Sequence, residues 1–187
     1  VGCGPKLEYE RPPESVLLGI DLSYESLRHN RDVDVRLYGS ATSLPLPPRS
    51  VAAIVCFYSL HHLVGQTVDE NEALVRRVLS EFARVLRPGG DLLVFEVAPW
   101  WPAWVVQRLA WNLVRRRLKK SLDMFFWRRR ALEALAAEHL PPGTRLEYRA
   151  IKVSPFMVFP FAFALQRLCL PRLLYPFEIS MYHWRMA

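Results

Sequence analysis

VGCGPK at residues 1–6, followed by GIDLS at residues 19–23, is the pairing on which the reading of the chain turns. Two glycines one residue apart, Gly2 and Gly4, with an acidic residue about twenty positions on, Asp21, are the parts of a βαβ nucleotide-binding turn. Glycine lets the backbone approach a ligand where a Cβ would collide. A dinucleotide site also wants a third glycine three residues after Gly4, and position 7 is Leu. The chain opens on Val, inside what should be a strand-to-turn junction, so we expect a fragment whose first strand is largely missing.

Outward from this turn, the chain keeps a strand and helix rhythm. SVLLGIDLS reads as a buried strand ending at Asp21, and Ser23 can cap a helix over about Tyr24–Asn30. VDVRLYG is a third extended run, ATSLPLPPRS a proline-rich loop, and VAAIVCFY a fourth strand. Asp69 precedes ENEALVRRVLSEFARVL, in which Leu74, Val75, Val78, Leu79, Phe82, Val85 and Leu86 recur at helical spacing. RPGG is expected to stop that helix before the strand DLLVFEV. This alternation predicts an α/β, Rossmann-like doubly wound sheet with ligands at the carboxyl ends of its strands. Pro12 and Pro13 would break any long helix between the turn and GIDLS.

With 187 residues, one domain with its own core is expected. Cys3, Cys56 and Cys169 are odd in number and without metal-site spacing, which points to a reducing cytosolic compartment and to no zinc site. The net charge of +7 is concentrated in Arg115, Arg116, Arg117, Lys119, Lys120, Arg128, Arg129 and Arg130.

VGCGPK, GIDLS, GSATSLPLPPRSVAAIVCFYSLHHL and FARVLRPGGDLLVFEV, in this order and at these intervals, resemble the class I S-adenosylmethionine-dependent methyltransferases of the type 11 group over about residues 1–97. The resemblance implies a methyltransferase with S-adenosyl-L-methionine as its cofactor. That donor has no phosphate, which suits a turn lacking the third glycine. Gly2, Cys3 and Gly4 would form the donor-binding turn, Asp21 would accept the ribose hydroxyls beside Leu22, and Ser40, Ala41 and Tyr58 would complete the donor pocket. His61 and His62 follow the fourth strand, where the family lines the pocket beside the methyl donor. Either is a candidate to accept a proton from the substrate, and either could instead hold the loop by a structural hydrogen bond. Glu96, at the end of the fifth strand, is read as a pocket wall or as a solvated strand end. The chain departs from the family pattern at Lys6, in the place of a third turn glycine, at Ser40, in the place of an adenine-binding Asp, and at Ala52.

Residues 98–187 are expected to form the substrate side, with apolar and basic helical insertions. RALEALAAEHL reads as a helix, with TRLEYRAIKV and FEISMYHWRM as the last two strands. Trp104, Trp111, Val114, Leu118, Leu122 and Phe125 fall at helical spacing beside the basic cluster, a pattern that fits either an interfacial helix or a core helix with a basic edge. The run from Val153 to Leu165 is too short to span a bilayer, which takes about 20 residues. Together these favour a small hydrophobic or lipid-like acceptor, with peripheral membrane contact through 101–130 and 153–175 at the cytosolic face. A non-catalytic relative that binds a membrane or a partner is the competing reading. Nucleic acid as partner, with RNA as the methyl acceptor, ranks lower because the residues interleaved with the arginines are too apolar.

Overall fold

The turn at the start of the chain is stitched between two strands. In the computed structural model, which describes residues 1–7, 9–117, 123–151, 156–158, 169–171 and 177–187, the amides of Gly2 and Cys3 donate to the carbonyl of Ile20 at 2.8 and 3.3 Å. On the other side, Val1 N donates to the carbonyl of Val55 at 2.8 Å. Ile20 lies in β1 (Leu18–Asp21) and Val55 in β3 (Val51–Phe57). Residues 1–3 thus occupy the place between β1 and β3 that the sequence assigns to the end of a further strand. Next to them, a groove of about 480 Å³ continues between the two strands, lined by Leu18, Ile20, Val51 and Ile54 among others.

β1 pairs in parallel with β2 (Val35–Tyr38). Between them α1 (Tyr24–His29) is capped as expected, with Ser23 Oγ accepting from Ser26 N at 3.1 Å. β3 pairs in parallel with β4 (Leu86–Pro99), and β4 continues through β8 (Phe177–Arg185) to β5 (Arg145–Ile151) by antiparallel pairing, giving the order β3-β4-β8-β5. β6 (Phe156–Val158) and β7 (Cys169–Pro171) form a separate antiparallel pair. No helix is described between the Gly2–Gly4 turn and β1, in keeping with Pro12 and Pro13.

α2 (Val68–Val85) begins earlier than Asp69 suggests. Its cap is Thr67, whose hydroxyl accepts from Glu70 N, so Asp69 and Glu70 fall inside the first turn, where their charge favours the helix dipole. Val75, Val78, Leu79, Phe82 and Val85 of α2 are completely buried, while Leu74 is half-buried at the edge of that face. RPGG ends the helix but is itself part of β4: the pairing jumps from Val51–Leu86 to Ala53–Asp91, leaving residues 87–90 as an extended bulge with Gly89 at φ +69°.

α3 (Trp101–Arg117) leaves the carboxyl end of β4, and α4 (Arg129–His139) follows an irregular stretch. Helical spacing carried through Phe125 is not realised. Residues 123–128 are non-helical, because Phe125, Phe126 and Trp127 turn into the protein consecutively and are all buried, which one face of a helix cannot provide. Leu118 and Leu122, and most of 153–175, lie outside the described residues. Trp111, Phe125, Trp127, Leu132, Tyr182 and Trp184 share one apolar cluster with the buried face of α2, so both halves of the chain contribute to a common core.

Candidate functional site

The Gly2–Gly4 turn needs glycine at both places for different reasons. Gly2 has φ +64°, and a Cβ there would lie 2.0 Å from Ser59 Oγ and 2.7 Å from Ser59 Cβ. Gly4 has φ +57° but faces open space, and a Cβ there would meet no atom within 4 Å. One glycine admits the neighbouring loop, and the other keeps the turn open.

Asp21 closes the turn from the end of β1. Its Oδ2 accepts from Gly4 N at 2.9 Å, and its Oδ1 accepts from Ser23 N at 2.8 Å. Each oxygen keeps a lone pair for a further donor. Asn30, just after α1, ties the turn from below: its Nδ2 donates to the carbonyls of Gly4 and Cys3 at 2.9 and 3.3 Å from a fully buried position. Sequence reading missed Asn30; its only signal was a polar residue at a helix end.

Across the cavity stands the loop after β3. Tyr58 takes φ +46°, a costly conformation for a non-glycine residue and one that clusters at functional sites. The loop then forms a single 3₁₀ turn, Leu60–His62, whose orphan amides are satisfied by Glu96. Glu96 Oε1 accepts from Ser59 N at 3.0 Å and Leu60 N at 2.7 Å, and His61 Nδ1 donates to Oε2 at 2.7 Å. Glu96 is completely buried, so it is neither a pocket wall nor a solvated strand end; it is the anchor of the loop. His61 is buried beside it and stacks on Phe126, with centroids 5.3 Å apart.

His62 faces the other way. Its Nδ1 lies 3.1 Å from the carbonyl of Asp123, which can only accept, so Nδ1 carries the proton and Nε2 of the neutral ring is left as the acceptor. Partial desolvation, reinforced by the neighbouring His61, lowers its pKa from the ordinary value and favours this neutral form. A neutral imidazole with a lone pair at Nε2 can take a proton.

A cavity of about 440 Å³ gathers these parts. Gly2, Gly4, Asp21, Leu22, Ala41, Tyr58 and His62 all line it. Three sequence candidates stand apart from it. Cys3 lines an adjoining cavity of about 330 Å³ with Lys6, Tyr9 and Phe57. Ser40 lies between the lining residues Gly39 and Ala41, and its hydroxyl is 2.8 Å from that of Thr42. His61 is held behind the loop by Glu96. Among the described residues, no group of three or more His, Cys, Asp or Glu side chains could hold a metal ion, and no helix is long and apolar enough to cross a membrane.

Comparison with family models matches residues 1–94 to the family described as a methyltransferase domain. No curated protein matches the chain. Among solved structures, an S-adenosylmethionine-dependent methyltransferase from Thermotoga maritima is similar at 17% identity and TM-score 0.57, over 99% of this chain and 79% of the other. One from Methanosarcina mazei is similar at 15% identity and TM-score 0.56, over 99% and 90%. A geranyl diphosphate methyltransferase in complex with S-adenosylmethionine is similar at 14% identity and TM-score 0.54, over 92% and 69%. These likenesses establish the Rossmann-like class I fold.

Proposed function

Since the chain belongs to the methyltransferase-domain family matched over residues 1–94, we propose that it transfers the methyl group of S-adenosylmethionine to a small hydrophobic or lipid-like acceptor. The observation that carries the reading is the meeting of the glycine turn, the Asp21 carboxylate and His62 around one cavity. The open space at Gly4 is a cradle that a side chain would fill, and Asp21 offers two oxygens to a vicinal diol. When bound, the donor supplies a sulfonium methyl group for in-line displacement.

The protein's part is alignment, which in favourable systems is worth about 7–11 kcal/mol of the barrier. Asp21 fixes the ribose end, and Gly2 and Gly4 allow close backbone approach. His62 Nε2 is the group positioned to take a proton from an acceptor hydroxyl or amine as its lone pair is used. The surroundings favour an apolar acceptor: Ile20, Leu22, Ala41 and Leu63 line the same cavity as His62.

Calorimetric titration with S-adenosylmethionine tests the donor assignment. Asp21→Ala should weaken binding by about 1.5–3 kcal/mol, as expected for hydrogen bonds to a charged group. Nicotinamide dinucleotides should not compete. Unchanged affinity in a folded variant would defeat the assignment.

A further inference from the structure

α3 is apolar on two opposite sides. At about 100° per residue, Trp104, Trp111 and Arg115 share one side; Trp111 packs edge-on against Phe125 at 5.0 Å, and the Arg115 guanidinium pairs with Asp123 at 3.3 Å. Val106, Leu109 and Leu113 share the opposite side and are 66%, 79% and 62% exposed. The stripe that the sequence singled out, with Trp111 and Phe125, is therefore the packed side, and the outward stripe is a second one. Exposed Trp100 and Trp101 stand at its amino-terminal end, and exposed Arg116 and Arg117 flank its carboxyl-terminal end.

We propose that this outward face of α3 docks on an anionic lipid surface, with Val106, Leu109 and Leu113 immersed, the two tryptophans at the headgroup level and Arg116 and Arg117 against the lipid phosphates. Charge selects this occupant. Between Glu96 and Asp123 the sequence holds no acidic residue and six basic ones. An apolar stripe flanked by arginine and tryptophan is the composition of helices that lie in a membrane interface. The position of α3 is also suited to the task. It leaves the carboxyl end of β4, the same end of the sheet as the cavity, and Asp123 joins the two: its carboxylate pairs with Arg115 of α3 and its carbonyl accepts from His62.

Vesicle co-sedimentation tests the proposal on the chain as it stands, with phosphatidylcholine vesicles and with vesicles enriched in anionic phosphatidylglycerol, each at low and high salt. Binding should require the anionic lipid and weaken as salt shortens the Debye length. Leu109→Asp with Leu113→Asp should lower the partition coefficient by more than about tenfold. Arg116→Gln with Arg117→Gln should lower it by about fivefold per residue and flatten the salt dependence. Tyr24→Ser, at an exposed aromatic on α1, should change nothing. Circular dichroism checks that each variant is folded. No binding at low salt overturns the proposal, as does binding indifferent to the leucine pair. So does a leucine-dependent dimer without vesicle binding, or salt-sensitive RNA binding in its place. The assay needs no methyl donor, so its failure leaves the methyl-transfer reading standing.

Discussion

Nδ1 of His61 lies 2.7 Å from Oε2 of Glu96, and both side chains are almost completely buried. The other Glu96 oxygen holds two loop amides, so one carboxylate fixes the backbone from Ser59 to His61. Removing the carboxylate strands the buried imidazole and two loop amides without water to replace it. At about 1–3 kcal/mol for each stranded group, Glu96→Ala should cost about 3–5 kcal/mol or more in urea unfolding. Glu96→Gln, which keeps an accepting oxygen for the amides, should cost less. Equal losses in the two variants would show that volume, not hydrogen bonding, is the role of Glu96.

Gly2 and Gly4 predict unequal alanine variants. At Gly4 the added methyl meets nothing, so Gly4→Ala should cost only the left-handed backbone, about 1–3 kcal/mol. Gly2→Ala carries the same backbone cost and also drives its methyl into Ser59, so its unfolding midpoint should fall further. A midpoint for Gly2→Ala at or above that of Gly4→Ala would contradict this packing.

His62 makes stability depend on pH in a definite direction. Desolvation first, and the nearby His61 second, lower its pKa below the ordinary 6.5. The unfolded chain then binds the proton more readily than the folded one. Stability is intact above the unfolded value and falls as pH drops through about 6.5, until the folded state also protonates. His62→Gln should flatten that part of the curve of unfolding free energy against pH. A wild-type curve whose slope below pH 6.5 survives the substitution would assign the effect elsewhere.

Two thiols should differ sharply in reactivity. Cys56 is buried in β3 and its pKa is pushed up to about 12 by burial, leaving almost no thiolate at about pH 8. Cys3 is raised as well, chiefly by burial, but is partly open at the adjoining cavity. Iodoacetamide followed by peptide mass spectrometry should find Cys3 modified before Cys56, and Cys56 only as the protein unfolds.

The α/β alternation, the Ser23 cap and the buried face of α2 are legible in sequence because each is a local pattern: a hydroxyl before a helix, or an apolar period of about 3.6. The glycine turn and Asp21 are legible for the same reason. What escapes a sequence reading depends on contacts distant along the chain. Glu96 meets Ser59, Leu60 and His61 only once β4 lies beside β3, so nothing local marks it as buried. The two adjacent histidines look equivalent in sequence, yet the 3₁₀ turn sends one behind the loop and the other to the cavity. Phe125 matches a helical stripe, but with Phe126 and Trp127 it leaves the helix because all three are buried. Ser40 stands at the expected place in the motif, but its hydroxyl is engaged in its own turn with Thr42.

Asp123 also has a thermodynamic consequence. Its carbonyl meets His62 at the cavity, and its carboxylate meets Arg115 on α3. If occupancy of the cavity and contact at α3 favour the same arrangement of this residue, the two events are energetically coupled, and cycle closure makes that coupling reciprocal. The factor by which vesicles change the affinity for S-adenosylmethionine must then equal the factor by which S-adenosylmethionine changes the affinity for vesicles. Substituting Asp123 with Asn should reduce both factors together.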